Sequence, residues 1–565
     1  MNYLSASKSQ SNMFAGDLKA PTIAVARTRL MFGVFFFLVA FVVMGARTVE
    51  LGMSTPITAK QTIARHIEVP ATTVARADIV DRNGEALAIN LKSSSLYANP
   101  KMISNPEAVA QKLNEILPSV PRAGLLQKLK SGRSFVWIKR KLTPKQKWDV
   151  NALGVPGLKF QEEEDRLYPH GRLASHVLGY VDVDGNGIAG VEHYFDDQLS
   201  NSNRSGEALQ LSLDIRVQYA LADELEAAMR AHRAKGAAGL VMDVNTGELL
   251  ALVSMPDYDP NNISGVSDDE LFNRASKGVY ELGSTFKTFT FANALDDGVA
   301  TLEDGYDATK PLKVARFLIR DDHPKKRYLT LPEIFAFSSN IGTAQMALDI
   351  GSDRQREFMG DLGLLNPAAL ELPEVGAPMY PASWRKVSTV TISYGHGIAV
   401  SPVQLATSIA SVVNGGSLNA PTLVRTSAAV QSQRQVISQS TSRQMRQLLR
   451  LAVTKGTGGR ADARGYRVGG KTGTAEKASG GGYDRKSLIS SFVGVYPMDD
   501  PQYVVFALLD EPQGTKETFG FASGGWVAAP VVKNVIMRTA PLLGVLPKWE
   551  DEGLYQKVAL MIDED

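Results

Sequence analysis

The chain has 565 residues with a formal net charge of +2, and 44% of its residues are apolar. That length predicts more than one domain, and the near-neutral balance gives no global field that would draw in nucleic acid or an acidic polymer. There is no cysteine, so a disulfide framework, a thiolate metal site and a cysteine nucleophile are all excluded.

In chain order, the first strong signal is Leu30 to Ala46, an apolar run without a charge. It is near the lower limit for crossing a hydrocarbon layer about 30 Å thick. Lys8, Lys19, Arg27 and Arg29 precede it, and Asp17 is the only acid in that tail. This bias predicts a single-pass anchor with a cytoplasmic N-terminus and everything after Arg47 outside. No A-x-A-like cleavage signal follows, which argues against a removed signal peptide.

Beyond the anchor, short mixed elements are expected up to about residue 210. Asp78-Ile79-Val80 reads as a strand entering an Asp81-Arg82-Asn83-Gly84 turn, since Asn-Gly accepts positive φ. Val109 to Leu117 and Pro144 to Ala152 read as helices. Glu162 to Asp165 is read as a solvated acidic face. Asp182 to Gly190 looks superficially like a calcium loop but lacks the spacing and terminal glutamate of an EF-hand, so no metal is assigned. Asn201 to Gly206 is polar and marks a domain boundary.

Ile215 to Arg233 carries apolar residues at helical spacing. Ala238 to Val244 and Glu248 to Val253 read as strands joined by the Asn245-Thr246-Gly247 turn. Ser490 to Val495 and Tyr503 to Leu509 read as a second strand pair. A sheet drawing strands from both ends of a domain, with helices between, predicts an α+β class with antiparallel pairing.

Three motifs carry chemistry. Ser284-Thr285-Phe286-Lys287 supplies a hydroxyl and an amine at i and i+3, hence on one face of the helix expected over Thr285 to Leu295. Alone it reads equally as a serine helix cap with an unrelated lysine, and Ser5-Ala6-Ser7-Lys8 matches the same pattern on the cytoplasmic tail. Ser338-Ser339-Asn340, after the helical pattern Leu331 to Phe337, offers a hydroxyl relay and a side-chain amide. Lys471-Thr472-Gly473-Thr474 sets a cation beside two hydroxyls on a glycine-flanked strand, suited to a carboxylate. The Ser284 and Thr474 N–H groups together make a candidate oxyanion hole.

A free lysine is neutral in about one molecule in 2,500 at pH 7. A lysine base therefore needs desolvation or a like charge, and Lys471 is the expected like charge beside Lys287. In this reading Lys287 becomes the base and Lys471 stays a cation. No H-E-x-x-H and no G-x-S-x-G offers a competing chemistry. His396 is read as a structural histidine near the cleft.

On these motifs the chain resembles the class B penicillin-binding proteins, most like the septal, cell-division D,D-transpeptidases of peptidoglycan. The likeness extends to Arg76 through Gly84, Arg166-Leu167-Tyr168-Pro169, His176, Gly179 and Gly190-Val191-Glu192. It includes Asn273-Arg274-Ala275, Ser401 through Ala406, Gly524-Gly525 and Ala528-Ala529-Pro530 as well. Leu282 departs from the proline usual in the family. The resemblance implies a multidomain chain: tail 1–29, anchor 30–47, pedestal or dimerisation-type domain 48–206, transpeptidase domain 207–550 and a C-terminal tail 551–565. The last large domain is expected to have a central antiparallel sheet flanked by helices, like serine β-lactamases and D,D-peptidases.

The resemblance also implies Ser284, Lys287, Ser338 and Lys471 as catalytic, with Asn340, Thr472, Gly473 and Thr474 binding substrate, and no cofactor or metal. Implied partners are peptidoglycan stem peptides, β-lactams, a membrane-embedded glycan polymerase and division-site proteins, at the inner membrane with the catalytic domain periplasmic. An elongation-type transpeptidase of the sidewall shares the same machinery. A β-lactamase or carboxypeptidase has no need of a pedestal and anchor, and a non-catalytic division scaffold has no need of an intact polar site.

Overall fold

The computed structural model describes residues 20–53, 76–201, 207–426, 434–479 and 482–549. The decoy Ser5 to Lys8, the charges Lys8, Asp17 and Lys19, most of the expected boundary loop and the tail after residue 550 lie outside them.

Helix α1 (Ala20–Met53) contains the apolar run and extends beyond it at both ends. Pro21 falls in its first turn, where its missing N–H is not needed. The stretch Arg27–Val49 is 23 residues long and none of its apolar window is buried. At 1.5 Å per residue it reaches about 34 Å, enough to cross a bilayer.

The described residues from Arg76 onward form a compact unit of their own. It begins with strands β1 (Ile79–Val80) and β2 (Ala86–Ala98), which pair antiparallel around the Asp81 to Gly84 turn. Gly84 there has φ +88, as Asn-Gly predicted. Helix α2 (Pro106–Ile116) starts earlier than its apolar pattern because Asn105 accepts from the Ala108 N–H and Pro106 takes the first helical position. Helix α3 (Arg122–Leu129), strand β3 (Val136–Leu142), helix α4 (Pro144–Ala152) and strand β4 (Leu158–Leu167) complete this lobe. A capping box between Thr143 and Gln146 fixes the start of α4. Strand β5 (Leu209–Gln210) pairs parallel with β1.

The acidic run is an ordered strand that presents a solvated face through Glu162 and Glu164, which are exposed. Glu162 to Asp165 lies in β4, paired with β2. Glu163 accepts from Arg140 at 3.1 Å. At the base of the lobe, Glu192 is fully buried between Arg76 at 2.6 Å and Arg166 at 2.7 Å. Asp182 accepts from the N–H groups of Asp184 and Asn186, so the Asp182 to Gly190 stretch is a hydrogen-bonded turn.

Helix α5 (Ile215–Ala231) leads into strands β6 (Gly236–Asp243) and β7 (Leu249–Met255). Helix α6 (Lys287–Asp296), the short strands β8 (Leu312–Val314) and β9 (Phe317–Ile319), and helices α7 (Leu331–Ala336) and α8 (Asn340–Ile350) follow. Helices α9 (Pro402–Val413) and α10 (Gln439–Thr454) precede strands β10 (Gly469–Ser479), β11 (Gly482–Tyr496) and β12 (Tyr503–Asp510), with α11 (Ala529–Thr539) last.

The central sheet runs β10-β11-β12-β6-β7, antiparallel throughout. Both of its faces are covered, which is why β6 reads as an unbroken apolar run rather than an alternation. Leu240 and Met242 face one core with Phe289, Ile409 and Leu448. Val241 faces the other core with Leu221, Leu225 and Val535. The sheet therefore holds β10 at one edge, with one side of that strand open to the helical layer.

Candidate active site

The Ser284 motif does not begin as an α-helix. Gly283–Phe286 is a 3-10 turn, and α6 starts at Lys287. Three residues per turn eclipse positions i and i+3, so Ser284 and Lys287 share a side more strictly than in an α-helix. Gly283 adopts φ +54, and a Cβ there would lie 2.4 Å from the Thr474 carbonyl oxygen. Only glycine lets this turn press onto β10. Leu282, in place of the family's proline, is fully buried in the core, where its side chain packs.

Ser338 lies at the turn between α7 and α8. A capping box of Thr330 and Glu333 starts α7, and Ser339 caps α8 by accepting from the Gly342 N–H. Ser338 itself has φ +61, a strained conformation for a residue with a side chain. That conformation turns both its carbonyl and its hydroxyl toward Lys287.

Lys287 and Lys471 are both fully buried. Lys287 Nζ donates to the Ser338 carbonyl and, at 3.0 Å, to Ser338 Oγ. Lys471 Nζ donates to the same Oγ at 3.0 Å and reaches Thr472 Oγ1 at 3.5 Å. Thr472 Oγ1 also meets Thr457 Oγ1 at 3.0 Å. Thr474 Oγ1 accepts from the Gly524 N–H at 3.0 Å, which gives the Gly524-Gly525 signature a place in the site. Gly473 sits where a Cβ would meet Ser491 Oγ at 2.4 Å and the Leu282 carbonyl at 2.5 Å. Asn340 uses one amide N–H on the Arg320 carbonyl at 3.0 Å. Among the described residues, Ser284 Oγ has no hydrogen-bond partner, and Lys287 is directed at Ser338 instead.

Burial pushes the Lys287 ammonium down to about 7, against an opposing pull from Asp321 and Asp322. Lys471 is driven well below its ordinary value, by burial first and by the Lys287 charge second. This differs from the sequence expectation. Desolvation does most of the work on Lys287, and the like-charge push falls on Lys471. Two buried amines around one hydroxyl form a pair that holds a proton short of two.

Two acidic residues outside the motifs belong to the site. Asp321 accepts from Ser339 Oγ at 2.8 Å and from the Ile341 N–H at 2.9 Å, holding the turn after Ser338. Glu281 accepts from the Gly397 N–H at 2.9 Å and from the Tyr483 hydroxyl at 3.1 Å. It thereby ties the approach to Ser284 to a second loop and to the β10–β11 ribbon. His396 faces Glu281 at 3.6 Å, and burial lowers its pKa. Glu281, Glu476, Met379 and Tyr380 line a groove of about 500 Å³ beside the Ser284 turn. A hollow of about 620 Å³ between Arg233 and Lys516 contains none of the motif side chains. Strand β10 ends at Ser479 and β11 begins at Gly482, and residues 480 and 481 lie outside the described residues.

Two family models match the chain. The penicillin-binding protein transpeptidase domain covers residues 237–537, and the penicillin-binding protein dimerisation domain covers residues 71–208. The chain belongs to the penicillin-binding proteins. This penicillin-binding protein is 43% identical over 487 residues to the probable peptidoglycan D,D-transpeptidase FtsI of Caulobacter vibrioides, covering 84% of this chain and 82% of the relative. It is 33% identical to the probable peptidoglycan D,D-transpeptidase PenA of Neisseria gonorrhoeae, over 86% of this chain and 87% of the relative. With the Escherichia coli K12 peptidoglycan D,D-transpeptidase FtsI it shares 29% identity, over 91% of this chain and 92% of the relative. In fold, it matches the crystal structure of penicillin-binding protein 3 from Mycobacterium tuberculosis in complex with aztreonam, with a TM-score of 0.68 at 23% identity. That match covers 84% of this chain and 97% of the other.

Proposed function

We propose that this penicillin-binding protein is a septal peptidoglycan D,D-transpeptidase of the FtsI type that works through a Ser284 acyl-enzyme. The observation that carries the reading is the Ser338 hydroxyl held by two buried lysines, one of which, Lys287, directly follows the turn that carries Ser284. The names of the relatives supply the substrate class.

In the proposed reaction the Ser284 hydroxyl attacks the carbonyl of the penultimate D-alanine of a donor stem. Its proton passes to neutral Lys287, and the oxyanion faces the N–H groups of Ser284 and Thr474. The C–N bond then breaks, and the departing D-alanine amine takes a proton delivered through Ser338 from the lysine pair. An ester on Ser284 remains. Thr472 and Thr474 hydroxyls bind the donor carboxylate, Gly473 admits its backbone, and Asn340 meets an amide of the stem. An amine of a neighbouring stem attacks the ester, forms the cross-link and frees Ser284. A β-lactam enters by the same attack, but its amine stays tethered after ring opening, so the ester persists. No step calls for a metal or cofactor.

The same reading takes α1 as an inner-membrane anchor with a cytoplasmic N-terminus, a periplasmic pedestal over 48–206 and a transpeptidase domain over 207–550. The anchor and pedestal are proposed to meet a membrane-embedded glycan polymerase and division-site proteins. A fluorescent penicillin should label the chain one-to-one, and Ser284→Ala should abolish the label. Labelling that persists in that variant would refute the nucleophile. A tagged copy should gather at midcell in dividing cells, and a uniform sidewall distribution would overturn the septal role.

A further inference from the structure

Residues 310–327 form a small lobe around the β8–β9 hairpin, directly before α7. Lys310, Lys313, Arg316, Arg320, Lys325 and Lys326 are all exposed there, and among the described residues none of the six forms a salt bridge. The acids in the stretch do little to offset them. Asp321 is turned inward onto Ser339 and Ile341, which leaves Asp322 as the exposed acid. For a chain whose net charge is only +2, this is a strong local concentration of one sign.

Phe317 and Leu318 at the hairpin tip are 46% and 47% exposed, with the Arg316 guanidinium 5.3 Å from the Phe317 ring centroid. Phe317 and Leu318 thus give the lobe a small apolar tip amid its cations. The lobe is also fastened to the catalytic turn. Asn340 donates to the Arg320 carbonyl, and Lys325 Nζ lies 4.5 Å from the Phe337 ring centroid, one residue before Ser338. Arg320 and Lys325 are thereby held beside the Ser338 turn, and the lobe's charge acts on an approaching anion over a Debye length of about 8–10 Å.

We propose that this basic lobe is a docking surface for the carboxylate-bearing stem peptides of the substrate strand, holding them beside the Ser338 turn. The proposal rests on the transpeptidase reading and adds a substrate-binding surface outside the three motifs. Free peptide carboxylates pair with the lysines and arginines, and the apolar tip covers the aliphatic parts of the peptide.

The test uses the full chain in detergent micelles and a Lys313→Glu/Arg316→Glu variant, with fluorescent penicillin labelling of Ser284 as the control for folding. Binding is measured by co-sedimentation with uncross-linked peptidoglycan carrying free stem carboxylates, and with the same material after chemical amidation. The expected result is binding about tenfold weaker for the variant, with a shallower dependence on salt. Amidated peptidoglycan should bind wild type and variant alike, no more tightly than the variant binds the unamidated material, since amidation also removes the donor carboxylate assigned to Thr472 and Thr474. Equal affinity of both proteins for the unamidated material overturns the proposal. So does a loss confined to phosphatidylglycerol vesicles, which would make the lobe a lipid contact. Wild-type protein that takes no penicillin at Ser284 would instead bring down the transpeptidase reading, and this proposal with it.

Discussion

Lys471 Nζ stands 3.0 Å from Ser338 Oγ, so an amine carried on an edge strand reaches a hydroxyl set at a strained turn between two helices. Lys287 approaches the same oxygen from α6 at 3.0 Å. A hydroxyl that accepts from two amines is the natural path for a proton between them and a leaving group. Ser338→Ala removes that path and leaves both buried amines without their shared acceptor. Acylation by penicillin should slow by about 10²–10⁴, the range for a lost proton-transfer group, while the fold survives. A loss under tenfold in stopped-flow acylation would remove Ser338 from the relay.

The acylation rate should also follow the Lys287 proton. With Lys287 pushed down to about 7, the neutral amine is the minority species below that pH and the majority above it. The rate should therefore climb between pH 6 and 8 and level off higher. Asp321 and Asp322 raise the Lys287 pKa, so Asp321→Asn should move the midpoint to lower pH, by about 0.3–1 unit. The asparagine oxygen can still accept from the Ile341 N–H, which keeps the turn in place. A midpoint that stays fixed or rises in this variant contradicts the electrostatic role.

Burying Lys287 has a stability cost whose sign is fixed by the direction of its shift. Its folded pKa lies below the unfolded value near 10.4, so the folded chain binds fewer protons between about pH 7 and 10. Wild-type stability should rise with pH across that window. Lys287→Met fills the same space without an amine. It should abolish acylation yet stabilise the protein at pH 7, by on the order of 1–4 kcal/mol, with the gain shrinking toward pH 10. Denaturant melts at the two pH values check this, and a variant less stable than wild type at pH 7 would count against it.

Local periodicity made much of this molecule readable in advance. The Ser284–Lys287 pair, the Ile215 helix and the hairpin around Gly247 depend on neighbours in sequence, so spacing alone places them. Strand β11 is only partly legible, because its first half, beginning Gly482-Tyr483-Asp484, is polar. It pairs with the end of β10 in a ribbon beyond the apolar core. In the acidic run, Glu162 and Glu164 do face solvent, but the ion pair of Glu163 is not legible in sequence because its cation, Arg140, lies on another strand. No local signal marks Glu281 and Asp321 either, for the same reason. The partners that give them a role, Tyr483, Gly397, Ser339 and Ile341, come from other segments. The split of charge effects between the two lysines depends on burial depth, and residue identity does not encode that.

Gly473 offers the sharpest steric test of how the motifs are held together. A Cβ there would stand 2.4 Å from Ser491 Oγ and 2.5 Å from the Leu282 carbonyl, on the turn that carries Ser284. The hydroxyl can rotate away, but the carbonyl is backbone and cannot. Because β10 is at the edge of the sheet, the cheapest relief is for the strand to shift outward, away from the Ser284 turn. A displacement of about 1 Å between reacting groups costs about 100-fold in rate. Gly473→Ala should therefore reduce penicillin acylation by about that factor while the melting temperature falls only a few degrees. Gly482→Ala, at the start of β11 with nothing within 4 Å of its would-be Cβ, should leave both measurements near wild type. If Gly473→Ala acylates normally, contact between strand and turn does not set the geometry of the site.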